Sequence, residues 1–175
     1  MIKRTPSRWG GGVSLLWNGI EAKDVLRNLF NDGVASCLNT LHFEFDSARN
    51  GLFHFLRSHS IGKGDTVAVL LFTCDAVTDA ILDLGCDIVF YSCDNQLENG
   101  QIPENTNFPK VIIEQVTFGR RSLNDEILQK YAAQGSIIIR DKALSYGPKD
   151  FTTDATVKYP TLYSFEVSKS LTVGW

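Results

Sequence analysis

Residues 66–84 read TVAVLLFTCDAVTDAILDL, and this stretch decides the fold class. Its first six residues are apolar or β-branched, which is typical of a strand buried on both faces. Apolar side chains then recur three and four positions apart from Ala76 to Leu84, as on the buried face of a helix, with Asp75 as the predicted N-cap. A buried strand followed directly by an amphipathic helix indicates an α/β protein with a parallel sheet.

The same alternation of strands and helices extends in both directions from this unit. Further strands are predicted at 87–91, 110–114, 136–139 and 161–165, and helices at 25–30, 47–60 and 122–134. Residues 1–19 contain one proline and a run of three glycines, which predicts an arm or loop. The whole pattern predicts a three-layer α/β/α domain with a mostly parallel sheet.

Composition and charge exclude several classes of function. The 175 residues are 43% hydrophobic and 21% charged, as in an ordinary globular domain. A net charge of -3 gives no attraction to nucleic acid or to an anionic membrane, and no apolar run is long enough to span a bilayer. The four cysteines lack metal-ligand spacing, so we predict no metal site and free thiols in a reducing compartment, hence a cytoplasmic protein.

Candidate chemistry is concentrated where predicted strands end, because parallel sheets bind ligands at the carboxyl ends of their strands. Asp141 comes directly after the Ile-rich strand, while Ser164 and Lys169 surround the end of the last one. Ser47 stands where a helix begins. A lysine, a carboxylate and hydroxyls near a helix N-terminus are what pyridoxal phosphate (PLP) needs: a covalent anchor, a partner for its ring nitrogen and a phosphate site.

Six short motifs occur in order across about three-quarters of the chain. They are SAR at 47–49, IGKGDTV at 61–67, AILDLG at 80–85 with VF at 89–90, FG at 118–119, IRD at 139–141 and SFEVSKSLTVG at 164–174. In order and spacing, these motifs resemble those of the PLP-dependent sugar aminotransferases of the DegT/DnrJ/StrS type. The resemblance implies the large domain of the PLP-dependent transferases (aspartate aminotransferase, fold type I).

The resemblance also implies a role for each candidate residue. Lys169 would form the Schiff base and move the proton during transamination, and Asp141 would pair with the ring nitrogen. Ser164 and the backbone at Ala48 and Arg49 would hold the phosphate.

Some positions depart from the family pattern. Thr73 or Cys74 stands where the family places the aromatic or His residue that lies against the ring, and neither stacks well. Leu144 stands where the family has His or Gln near the phenolic oxygen of the cofactor, and Arg140 replaces a Glu before the ring-nitrogen Asp.

The family comparison also predicts the domain organisation. Family chains continue well past a position equivalent to Trp175. We therefore expect an N-terminal arm and helix at 1–45 and a partial PLP-binding large domain at 46–175, truncated after Lys169.

The implied function is transfer of an amino group, from glutamate, to a keto group of a nucleotide-linked sugar. Such enzymes serve surface polysaccharide or secondary metabolite synthesis and act as homodimers. One alternative is a non-catalytic relative kept as a binding module. Another is a doubly wound nucleotide-binding domain. The sequence contains no GxGxxG or GxxxxGK[ST] motif, which counts against this alternative.

Several of these residues also have ordinary structural interpretations. Asp141 could be a turn or N-cap residue, and Ser47 is expected to cap a helix whatever else it does. Arg120 and Arg121 could form an anion site, but the interpretation as solvated surface charge is favoured.

Overall fold

The computed structural model describes residues 45–145 and 159–164, together with the backbone of 16–17 and 20–21. The helix predicted at 25–30 and Lys169 lie outside the described residues. Strands β1 (Leu16–Trp17) and β2 (Ile20–Glu21) pair antiparallel. The predicted arm therefore includes a short strand pair. Strands of two residues are too short to show a periodic pattern in the sequence, so the pair was not predicted.

The remaining described residues alternate between helix and strand. In chain order the elements are α1 (Ala48–Ser58), β3 (Thr66–Leu70), α2 (Asp75–Leu82), β4 (Asp87–Tyr91), β5 (Val111–Thr117), β6 (Arg120–Arg121), α3 (Asp125–Ala133), β7 (Ile137–Leu144) and β8 (Thr161–Leu162). No helix in the described part of the chain has the length and apolar character needed to cross a membrane.

Strands β3 to β8 form one mostly parallel sheet. The order across it is β4-β3-β5-β7-β8, every neighbouring pair in that order is parallel, and only β6 runs antiparallel, beside β5. The chain first steps outward from β3 to β4 and then returns across β3 to β5. This reversal of direction leaves a crevice at the carboxyl ends of the central strands, where open α/β sheets bind ligands.

Alternate residues of each strand pack into two separate cores, one on each face of the sheet. Helices α1 and α2 cover the first face, where Leu56 and Ile81 pack with Val69, Ile113 and Ile139. Helix α3 covers the second face. There Leu128 packs with Leu70, Ile112 and Ile138. The predicted three-layer α/β/α architecture is therefore confirmed. Because successive side chains of a strand point to opposite faces of the sheet, the residues of β5 and β7 alternate between the two cores.

The elements nearest the carboxyl edge differ most from the sequence prediction. Strands β5 and β7 run three and five residues further than expected, so Asp141 lies within β7 rather than after it. The N-cap of α2 is Cys74 rather than Asp75, and α3 begins at Asp125 behind the N-cap Asn124. A hydrophobic pattern predicts that a strand ends at its first polar residues. In β5 and β7 the strand continues through buried polar side chains, so the prediction placed their ends too early.

Candidate functional site

A pocket of about 100 Å³ opens at the carboxyl ends of β5, β7 and β8, beside the N-termini of α1 and α2. It lies on the sheet face covered by these two helices. Its apolar wall includes Leu52, Val77, Val116, Leu144 and Leu162, and its polar wall includes Arg49, Gln115, Asp141 and Ser164. This is about two-thirds of the volume of the roughly 150 Å³ cavity that holds one benzene ring.

Four of the predicted site residues meet in this pocket, although they are far apart in the sequence. Ala48, Arg49, Asp141 and Ser164 all line it. Of the two candidates for the position against the ring, Cys74 lines the pocket and Thr73 does not. Lys169 lies outside the described residues.

Asp141 is held rigidly in the sheet. Its side chain is buried, with 4% of the residue exposed, and Oδ1 accepts a hydrogen bond from the Ala143 N–H at 2.9 Å. Along β5 and β7 the register advances from Gln115–Asp141 to Thr117–Leu144, so β7 contains one extra residue. This bulge brings the consecutive residues Ala143 and Leu144 onto the pocket wall, as bulges beside ligand sites often do.

The N-terminus of α1 forms the opposite edge of the pocket. Ser47 is its N-cap in extended conformation (φ -154°, ψ 155°), and its Oγ accepts from the Asn50 N–H at 3.2 Å. The N–H groups of Ala48 and Arg49 in the first turn have no acceptor within the helix, which makes a helix N-terminus a site for anions. The Arg49 guanidinium lies 3.5 Å from Asp79 and ties α1 to α2.

Gln115 is a pocket residue that sequence reasoning missed. It is 7% exposed, and its Oε1 is buried without a hydrogen-bond partner among the described residues. Its backbone is fixed by Ser122, whose Oγ accepts the Gln115 N–H and whose N–H donates to the Gln115 carbonyl, both at 3.0 Å. A glutamine directly after the predicted strand at 110–114, and followed by the apolar Val116, was the available signal.

Ser122 is itself held by a buried tyrosine. The Tyr91 hydroxyl donates to the Ile113 carbonyl at 2.9 Å and lies 2.8 Å from the Ser122 Oγ. Burial raises the pKa of Tyr91 well above its usual value, so this hydroxyl stays protonated at neutral pH. The backbone of Gln115 is therefore fixed from the side of the sheet opposite the pocket.

The groups that line the pocket suit the chemistry of a flat aromatic ligand with a basic nitrogen and an anionic group. The apolar side chains provide surfaces for the ring, Asp141 provides a buried carboxylate, and the N-terminus of α1 provides N–H donors. Across 45–145 and 159–164, no cluster of three or more His, Cys, Asp or Glu side chains is placed to hold a metal ion.

Comparison with solved structures identifies the same architecture elsewhere. NtdA of Bacillus subtilis with its bound cofactor PMP superposes with a TM-score of 0.59 at 21% identity over 72% of this chain. A 3-amino-5-hydroxybenzoic acid synthase gives 0.56 at 22% identity over 72%. A DegT/DnrJ/EryC1/StrS aminotransferase from Brucella abortus gives 0.52 at 19% identity over 71%. The chain has the fold of the PLP-dependent sugar aminotransferases.

This aminotransferase fold is present here in part. The chain spans 29%, 34% and 40% of the lengths of these three structures. No protein-family model matches the sequence, and no curated protein matches it. Because all three identities are below 25%, the similarity establishes the fold and does not extend to the chemistry.

Proposed function

We propose that this chain forms the PLP-binding part of an aminotransferase. The observation that supports the proposal is one pocket, in a fold shared with aminotransferases, that unites Asp141, the N-terminus of α1 and Ser164. These groups match the two ends of the cofactor. A buried carboxylate suits its ring nitrogen, and N–H donors with a hydroxyl suit its phosphate.

Bound PLP supplies an electron sink for the carbon atom that gives up or receives the amino group. Asp141 keeps the ring nitrogen protonated, since an anionic carboxylate close to a cation favours the charged form of both groups. The backbone N–H groups of Ala48 and Arg49 and the hydroxyl of Ser164 bind the phosphate. The apolar side chains exclude water from the ring.

Lys169 is the proposed covalent anchor and proton carrier. It follows Ser164 by five residues, and Asp141 pairs with Leu162 across the parallel strands β7 and β8. The strand that precedes the lysine is therefore the direct neighbour of the strand that contains the carboxylate. In this role the Nζ atom of Lys169 moves the proton to and from the reacting carbon.

The substrates follow from the sequence motifs rather than from the pocket. We infer that glutamate donates the amino group and that a keto group of a nucleotide-linked sugar accepts it. We also infer that the protein acts as a homodimer in the cytoplasm. These proposals rest on the resemblance of residues 47–174 to sugar aminotransferases.

Titration of the purified chain with PLP tests the proposal. We expect a lysine-dependent absorption band that is absent in Lys169→Ala and weaker in Asp141→Asn, where the ring nitrogen loses its anionic partner. Lys130→Ala, on the far helix α3, is the matched control and should bind as the unmodified chain does. A folded chain without any such band would support the non-catalytic alternative instead.

A further inference from the structure

We propose that Gln115 hydrogen-bonds the ring hydroxyl of PLP and so replaces the polar residue that the chain lacks at Leu144. This inference rests on the proposed function, because it assigns a contact within the same cofactor site. It goes beyond that function by adding a cofactor-binding residue from a strand on which the family motifs indicate none.

The first argument is the cost of burying an unpaired polar atom. The Gln115 Oε1 is buried and receives no hydrogen bond from any residue that the structure describes. Leaving such an atom unpaired is destabilising, and native proteins rarely tolerate it without a functional reason. A leucine or methionine at this position would avoid the penalty, so the amide is expected to have a partner in the pocket.

The second argument is the position of the amide beside Asp141. Gln115 and Asp141 are register partners on adjacent parallel strands and both line the pocket. Neighbouring strands lie about 4.8 Å apart. In PLP a single ring carbon separates the nitrogen from the carbon that bears the hydroxyl. Two adjacent strands can therefore supply one side chain to each of these groups.

The third argument is that, among the described residues that line the pocket, the other polar side chains suit the hydroxyl less well than Gln115, and the Cys74 thiol is only a weak hydrogen-bonding group. Asp141 is assigned to the nitrogen, and Arg49 and Ser164 belong to the phosphate end. Leu144 lines the pocket but has no polar side-chain atom. The Gln115 Oε1 can accept from the protonated ring hydroxyl, and a half-turn of the amide places its NH2 group where it can donate to the ionised ring oxygen. Gln115 is therefore chemically suited to both states.

The test compares Gln115→Leu with the unmodified chain in two measurements. These are the dissociation constant for PLP and the pH at which the absorption of bound PLP changes. We expect about tenfold weaker binding. We also expect a higher transition pH, because the ionised ring oxygen loses its donor and a hydrogen bond to an ion is stronger than one to the neutral hydroxyl. Restoring an amide from the other side of the pocket, in Gln115→Leu/Leu144→Gln, should bring both values back.

A matched control comes from the same strand. Thr117 also has a buried, unpartnered hydroxyl among the described residues, but it does not line the pocket. Thr117→Val should leave both cofactor measurements unchanged. If Gln115→Leu behaves like Thr117→Val while the unmodified chain binds PLP, the inference is wrong and the proposed function stands.

The remaining outcomes are also distinguishable. An unmodified chain that folds but binds no PLP would overturn the proposed function, and this inference with it. Gln115→Met, which keeps the side-chain length, is measured in parallel in case Gln115→Leu does not fold. Failure of both variants to fold would give Gln115 a purely structural role and overturn the inference.

Discussion

Arg140 donates from Nε to the Glu114 Oε2 at 2.6 Å, on the face of the sheet opposite the pocket. Glu114 is fully buried, and Arg121 Nε donates to its other oxygen, also at 2.6 Å. Arg121 is bonded to Asp125 as well, and these hydrogen bonds raise its pKa further above the usual range. The interpretation of Arg121 as solvated surface charge is therefore wrong.

The first prediction concerns this buried ion cluster. Glu114→Gln should lower the free energy of unfolding by about 3 kcal/mol, because it leaves two guanidinium groups beside a neutral side chain. Urea denaturation measures the loss. Arg120→Met is the control, since Arg120 and Glu98 form a half-exposed pair at 3.6 Å. That variant should lose less than about 1 kcal/mol. Equal losses in the two variants would contradict the prediction.

The second prediction separates helix capping from cofactor binding. Ser47→Ala and Asn124→Ala each remove an N-cap side chain, from α1 and α3 respectively. Both should lose about 1 kcal/mol of stability. Only Ser47→Ala should also weaken PLP binding, because the first turn of α1 lines the pocket. Thermal unfolding and PLP titration of both variants check this. Similar PLP affinities in the two variants would argue against a phosphate site at α1.

The third prediction concerns alkaline pH and Tyr91. Burial raises the pKa of this tyrosine in the folded chain, so its contribution to stability is complete below the unfolded value of about 10. That contribution is lost as the pH rises above 10, because the unfolded chain then releases the proton more readily. At neutral pH, Tyr91→Phe should be less stable by about 1 kcal/mol through loss of its hydrogen bonds.

This difference should shrink as the pH increases toward about 11, since phenylalanine does not titrate. Urea denaturation of both proteins at several pH values provides the measurement. A constant difference across that pH range would show that Tyr91 does not titrate with folding.

The fourth prediction concerns a close backbone approach at Gly100. A Cβ atom there would overlap the Ser122 carbonyl oxygen and lie 3.0 Å from Leu123 Cδ2. Gly100→Ala should therefore cost about 2 kcal/mol, as overpacking typically does. Gly62→Ala is the control, because its nearest contact would be the Leu84 carbonyl oxygen at 3.8 Å. Comparable stability of the two variants would contradict the prediction.

Sequence patterns predicted the layers of this domain well, because the strands and helices of its core have the regular apolar spacing that burial imposes. They also nominated Ala48, Arg49, Asp141 and Ser164, which the fold brings to one pocket. The wall position of Cys74 in place of Thr73 depends on the path of the loop after β3, which residue type does not encode.

The parts that could not be predicted involve buried polar residues in strands. The buried charge of Glu114 is paired with Arg121 and Arg140. Because these partners are distant in the sequence, the residues next to Glu114 do not indicate that its charge is paired. The bulge at Ala143 and the exposure of Gln115 to the pocket depend on register between β5 and β7. Pairing of this kind is a tertiary property, so residue spacing within one strand cannot reveal it.

Arg140 and Asp141 are consecutive in the sequence but serve opposite sides of one strand. Deletion of a single residue from the middle of β7 would move each side chain after the deletion to the opposite face of the sheet. Arg140 would then face the pocket, and Asp141 would face Glu114, which would keep only Arg121 as a cationic partner. Point substitutions can thus alter either face of β7 independently, whereas a change in the length of β7 disrupts both faces at once. We therefore expect evolution to preserve the length of this strand.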